Sequence, residues 1–278
     1  MDLGLGGCGV LVVGASGSIG AAVVECMLAE GAAVVAAGRS PQRLADGLGD
    51  LSAAVRGFVT MDLTSDTSVA EGVNSAAALL GDIDVLITSV AGEAPYGPFW
   101  TTERGSWADT AGLKLAGTTS VSQQAGRIMA RRGGGCIVNL IGVASDVVVL
   151  NNPVGAAVNA ALKQLTRSLA AELSPHGVRV VGISPGMTTG PRVDRFAGPA
   201  LEEIRLSLPL RRIGSPAEMA RVITFAASPA ASYLTGEIIA VDGGMSLLGI
   251  RGSVTPLDEV KDDGEAPMLT KGALRSWE

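Results

Sequence analysis

A chain of 278 residues, 47% hydrophobic and 17% charged, carries enough apolar material for a sizeable buried core and too little charge to remain unfolded. Its net charge of −6 lacks the basic footprint of a protein that binds nucleic acid or an anionic membrane, so any phosphate recognition must be local. The single histidine, His176, follows Leu173-Ser-Pro in a polar turn and leaves no material for a zinc-protease motif, and no Gly-Lys-Ser/Thr loop supports ATP hydrolysis.

Leu3 to Val24 is a 22-residue uncharged run, but its seven glycines and midway turn argue against a membrane span. Asp2 and the absence of a basic start argue against a secretory signal, so a cytoplasmic location is expected. Cys8, Cys26 and Cys136 are odd in number, far apart and set among apolar residues, the pattern of buried free thiols; no metal site is expected.

The first element is Val10-Leu-Val-Val, an apolar run that breaks into Gly14-Ala-Ser16-Gly17-Ser18-Ile19-Gly20 and then into a helical stretch, Ala21 to Glu30. Glycines three apart suit the turn by which a buried strand enters a helix while a phosphate sits on the helix's first amides. Glycine also serves ordinary tight turns, and the next element bears on the choice. Ala32 to Ala37 is a second strand ending in Gly38-Arg39-Ser40, where a dinucleotide fold reads the adenosine ribose. An acid there would bond the 2′-hydroxyl; Arg39 beside the Ser40 hydroxyl suits a 2′-phosphate, hence NADP, unless Arg39 is a solvated loop residue.

A short helix over Pro41 to Leu48, a strand from Val55 to Met61 and a helix from Thr67 to Leu80 follow, then a strand from Ile83 to Val90. Glu93 to Thr102 is a loop with Tyr96, Phe99 and Trp100, which either line a substrate pocket or plug the fold. Thr102 to Arg132 has a long helical pattern, Cys136 to Ile141 that of a strand, Pro153 to Leu173 that of a helix with proline in its first turn, and Val178 to Ser184 that of a strand. Pro185 to Leu210 is irregular with one short helix; Pro216 to Ala227 is helical and Glu237 to Val241 is the last strand. Seven strands alternating with helices predict an α/β fold, a single Rossmann-type doubly wound parallel sheet with its ligand at the strands' carboxyl ends. Residues 1–248 form that domain, and 249–278 are a polar tail without periodicity.

Over about residues 8 to 248 the chain resembles the short-chain dehydrogenase/reductase family. The resemblance rests on Gly14 to Gly20, Asp62-Leu63, Ala91-Gly92, Ile137-Val-Asn139, Leu162 to Leu173, Pro175 to Val180, Ser184-Pro-Gly186 and Val241-Asp-Gly-Gly244. It implies NAD(P) binding and hydride transfer between the nicotinamide and a carbonyl or alcohol carbon. Asp62 and Leu63 would hold the adenine, Ala91 would pass near the ribose, and Pro185 and Gly186, with Thr188 beside them, would support the nicotinamide. Ser18 stands where the family mostly has glycine, and Gly17 is expected to restore the backbone freedom.

The resemblance breaks at the catalytic positions. Aligned on Ala160-Ala161-Leu162, Asn159 stands in the position of the family's lysine, Gly155 in that of its tyrosine and Gly142 in that of its serine, while the helical asparagine of the proton relay aligns with Lys114. Loss of the tyrosine removes an acid worth roughly 10² to 10⁴ in rate. Lys114 either supplies a proton or pairs with a substrate carboxylate, or it snorkels from a helix surface. Lys114 and Asn159 are thus the candidate catalytic residues, and Ser145, Asp146, Asn151 and Asn152 border the family's substrate site. Three functions remain open: an atypical NADP-dependent oxidoreductase acting on a small carbonyl or hydroxy compound, a catalytically silent binding subunit, and a non-redox lyase or isomerase on the same fold. The resemblance also implies a homodimer or homotetramer, with Gly105, Gly112, Gly117 and Gly126 allowing close helix approach.

Overall fold

The computed structural model describes residues 2–90, 95–191, 193, 194 and 198–247; Ala91 and the tail from 249 lie outside them. In chain order the strands and helices are β1 Gly9–Val13, α1 Ser18–Ala29, β2 Ala33–Gly38, α2 Pro41–Leu48, β3 Gly57–Thr60, α3 Asp66–Leu80, β4 Val85–Thr88, α4 Arg104–Thr110, α5 Gly117–Arg132, β5 Gly135–Leu140, α6 Pro153–Leu173, β6 Val178–Pro185, α7 Pro199–Ser207, α8 Pro216–Ala227 and β7 Ile238–Val241. The strands form one sheet in the order β3-β2-β1-β4-β5-β6-β7, every described pairing parallel. The order turns outward in both directions from β1 and β4, which opens a crevice above their carboxyl ends.

The central strands are mostly apolar because both faces are covered. Val10, Val12, Val34, Ala36, Ile87, Val138 and Ile183 pack on one side with Val23 and Met27 of α1 and Ile223 of α8. Leu11, Val13, Val35, Ala37, Leu86, Ile137 and Val180 pack on the other with Val69 and Val73 of α3 and Val121, Ala125 and Met129 of α5. Serines set helix starts: Ser40 and Ser65 accept from Arg43 and Ser68 amides, and Ser215 forms a capping box with Glu218. Buried Asn139 accepts from Thr88 of β4 at 2.9 Å and donates to Thr166 of α6 at 3.2 Å, tying α6 to the sheet. On β6, Arg179 donates to the carbonyls of Ala226, Ala227, Ser228 and Leu234 at 2.9 to 3.1 Å, so one guanidinium closes the end of α8.

Three expectations change. The strand read over Val55 to Met61 shortens to Gly57–Thr60, the residues that pair with Val35 to Gly38 of β2, while the flanking Arg56 and Met61 amides still donate to the Val34 and Gly38 carbonyls. The helical pattern from Thr102 begins instead at Arg104 and is not uniform: Ala111–Ala116 is a π-helix between α4 and α5. Gly112 and Gly117 bracket that wider segment and lower the cost of leaving regular α geometry. Cys8 and Cys26 are half-buried, and Cys136 alone is fully enclosed, where burial pushes its thiol up to about 11.

Candidate active site

The Gly14 to Gly20 turn lies between β1 and α1. Gly14 has φ +81, and a methyl group there would stand 2.3 Å from the Ser89 carbonyl oxygen; one on Gly20 would stand 2.2 Å from the Gly14 carbonyl oxygen. These two glycines let β1, β4 and α1 meet in contact. Gly17 does something else. Its φ of −79 suits any residue, so it does not supply the backbone freedom expected of it; a methyl group there would meet the Gly14 carbonyl oxygen at an ordinary 3.5 Å, above a helix start that no side chain caps. Ser16, Gly17 and Ser18 are exposed there and Ile19 is half-buried. Amides of an uncapped first turn with room above them fit a pyrophosphate, which favours an NAD(P)-type group in this cradle.

Arg39 is exposed at the end of β2, and Ser40 accepts a capping bond while its hydroxyl hydrogen remains able to donate. Asp62 accepts from the Thr64 amide at 3.0 Å and hydroxyl at 2.8 Å, which hold its carboxyl below the usual range, with Arg39 adding to the effect. Leu63 turns its side chain into the core against Gly117 of α5, so only its backbone can face an adenine. Pro185 ends β6, Gly186 donates to the Val241 carbonyl, and the Thr188 hydroxyl returns to the Gly186 carbonyl at 3.2 Å. Gly190 in this loop packs on the Ser18 hydroxyl, a contact that the sequence does not signal and that joins the two walls of the crevice.

Lys114, on the π-helix, does not snorkel outward. Its Nζ donates to the Ile141 carbonyl at 2.7 Å and to Asn159 Oδ1 at 2.5 Å. The two candidate catalytic residues, 45 positions apart in sequence, are therefore in contact just beyond the carboxyl end of β5. Asn159 is buried on α6, at 8% exposure. Its Nδ2 would lie 2.9 Å from a methyl group on Gly142, whose φ is +139. Gly155, one turn earlier on α6, is likewise not open: a methyl group there would stand 2.4 Å from Asn152 Oδ1. Each glycine thus has an asparagine amide in the space that a side chain would need.

Gly155 and Asn159 share one face of α6 by their i, i+4 spacing, and Asn152 stands at the helix's N-cap. Asn152 Oδ1 is buried and finds no partner among the described residues. Ser145 donates instead to Asp146 at 2.7 Å. Burial raises the Asp146 carboxyl, but the bonds from Lys163 and Ser145 outweigh it and hold the group below its usual range. These contacts pin the loop after β5 onto α6. Asn151 has φ +62 and its carbonyl accepts from the Gly97 amide at 2.8 Å, so it joins the aromatic loop to the start of α6. Phe99 and Trp100 are exposed at 60% and 64%, so they do not plug the fold; with Val148, Leu150, Pro153 and Ala157 they border an open groove of about 570 Å³.

Comparisons with known proteins bear on this arrangement. A family model described as enoyl-(acyl carrier protein) reductase matches residues 14–246. The chain is 32% identical to cis-4-hydroxycyclohexanecarboxylate dehydrogenase of Sinomonas cyclohexanicum over 84% of its length and 94% of the relative's. It is 35% identical to galactitol 2-dehydrogenase (L-tagatose-forming) of Cereibacter sphaeroides, over 87% and 96% of the two chains. Among solved structures, L-sorbose reductase from Gluconobacter frateurii, complexed with NADPH and L-sorbose, superposes with a TM-score of 0.81 at 26% identity, over 88% and 99%. With its parallel seven-stranded sheet, its glycine cradle and this extent of similarity, the chain belongs to the short-chain dehydrogenase/reductase family of oxidoreductases.

Proposed function

We propose that this protein is an NADP(H)-dependent oxidoreductase acting on a small carbonyl or hydroxy compound, with Lys114 as the acid in a proton path that does not use the family's serine, tyrosine and lysine. Bound in the cradle, the cofactor would supply or accept the hydride. Gly14 to Gly20 would take its pyrophosphate, and Arg39 with Ser40 its 2′-phosphate. The substrate would enter between α6 and the loop after β5, where Lys114 Nζ, held by the Ile141 carbonyl and Asn159 Oδ1, would deliver a proton to its oxygen. As the carbonyl carbon gains hydride, its oxygen takes that proton, and the neutral amine regains one from water.

The observation that carries this reading is the position of Lys114 Nζ, drawn inward by the Ile141 carbonyl and Asn159 Oδ1. An ammonium has only protons to offer, and among the described residues the Ile141 carbonyl and Asn159 Oδ1 help to aim it. The hydroxylated ring and sugar substrates named for the relatives support a polar secondary alcohol or ketone as substrate. The family membership supports a cytoplasmic homodimer or homotetramer assembled through α5 and α6.

The test is NADPH fluorescence for binding, then turnover on cyclohexanone, 4-oxocyclohexanecarboxylate, L-tagatose and L-sorbose. Lys114→Met is expected to lower kcat at least tenfold, within the range of a lost general acid, with NADPH affinity unchanged. Unaltered kcat in that variant removes Lys114 from the proton path. Tight NADPH binding with no turnover on any carbonyl favours the silent binding subunit instead.

A further inference from the structure

The contact between Lys114 and Asn159 determines more than the direction of the ammonium. Lys114 Nζ can only donate, so the amide oxygen of Asn159 must face it and the NH₂ group must face the other way. The structure has this orientation, with Oδ1 2.5 Å from Nζ and Nδ2 directed at Gly142. Gly142 lacks the side chain that could contest the place: a methyl group on it would come within 2.9 Å of Nδ2, and its φ of +139 disfavours any other residue. An N–H donor from α6 therefore stands beside the place that a side chain on residue 142 would begin to occupy. The charge on Lys114 polarises this amide and makes its N–H the stronger donor.

We propose that Asn159 binds the reacting oxygen of the substrate through Nδ2, replacing a serine hydroxyl with an amide whose orientation is enforced by Lys114. The role rests on the oxidoreductase reading above. It assigns Asn159 as a substrate-oxygen ligand and Lys114 as both acid and the group that selects the amide orientation. Oxygen and amide exchange no atoms: the amide donates a hydrogen bond that tightens as negative charge develops on the oxygen, and the proton delivered comes from Lys114.

Asn159→Asp and Asn159→Leu separate this role from mere support of Lys114. Aspartate keeps the oxygen that Lys114 bonds and loses the N–H; leucine loses both. The deciding measurement is the infrared carbonyl band of the best-reduced ketone of the panel, carrying ¹³C at the carbonyl, bound with NADP⁺ so that no reduction occurs. In the starting protein the band is expected below its position in water, and in Asn159→Asp it should return toward that position, with kcat down at least tenfold. An aspartate also raises the Lys114 pKa and keeps it charged, which by itself would leave the band low or lower it further. A band that stays low in Asn159→Asp therefore overturns the proposal and leaves Asn159 as a support for Lys114. Equal NADP⁺ affinity in all three proteins excludes a fold defect, and Asn159→Leu should match Asn159→Asp in the band. If the starting protein reduces no ketone of the panel, the oxidoreductase reading itself fails, a different result from a band that does not move.

Discussion

Installing serine, tyrosine and lysine at positions 142, 155 and 159 tests the proposed reading that this pocket uses a different proton path. Gly142→Ser places an L residue at φ +139, ψ 142, which costs about 1 to 3 kcal/mol of backbone strain, and sets its Cβ 2.9 Å from Asn159 Nδ2. Gly155→Tyr brings its Cβ to 2.4 Å from Asn152 Oδ1, an overpacking worth about 1 to 3 kcal/mol. For a chain of this size each kcal/mol lowers Tm by roughly 2 to 4 °C, so either single variant should melt lower by about 2 to 12 °C. Asn152→Ala should recover much of the loss in Gly155→Tyr, since the obstruction is one amide, and none in Gly142→Ser. The assay is calorimetric melting of the single and double variants. NADPH-dependent ketone reduction by the triple variant Gly142→Ser, Gly155→Tyr, Asn159→Lys is then followed. A triple variant that melts within 2 °C of the starting protein and reduces simple ketones refutes the reasoning, because the asparagines would then be filler in a decayed reductase.

Arg39→Ala is expected to erase a preference of about tenfold or more for NADPH over NADH, as charge-assisted bonds contribute roughly 1.5 to 3 kcal/mol; equal affinities before mutation would remove the NADP assignment. Arg179→Met strips the bonds to the carbonyls of Ala226, Ala227, Ser228 and Leu234 and should cost about 3 kcal/mol, read as a Tm lower by roughly 6 to 12 °C; a Tm within 1 °C would mean that water takes over all four carbonyls. Light scattering at micromolar concentration should give two or four times 28.0 kDa, and a strict monomer would count against assembly through α5 and α6.

The sheet was legible because a strand buried on both faces leaves an apolar signature, as in Val10 to Val13 and Ala33 to Ala37, and because such runs alternate with helical patterns along the chain. Helix starts were legible where proline or serine marks them, as at Pro41, Pro153 and Pro216. The pairing of Lys114 with Asn159 could be suspected only as two separate anomalies, since nothing local in the sequence states that residues 45 apart touch. The glycines misled in a physical way. The sequence shows only that side chains are lacking at Gly155 and Gly142; that Asn152 and Asn159 occupy the places beside them depends on how the chain folds. The same holds for the four glycines expected to serve helix contact between subunits. Gly117 abuts Leu63 and Gly126 faces Leu173 and Ile137 within the chain, which leaves Gly105 and Gly112 with open surface.

The π-helix at Ala111–Ala116 divides one long rod into two sections with independent angular phase. Each residue of an α-helix turns the chain by about 100°, so one residue removed from this segment would rotate everything before it by that angle and draw it about 1.5 Å closer, while α5 kept its core register through Val121, Ala125 and Met129. Deletion of Ala111 would thus turn Trp107 and the rest of α4 to a new bearing without disturbing the sheet. One residue gained or lost in this segment would therefore re-aim the residues of α4 by a coarse step of about a third of a turn while the packing of α5 on the sheet stays as it is.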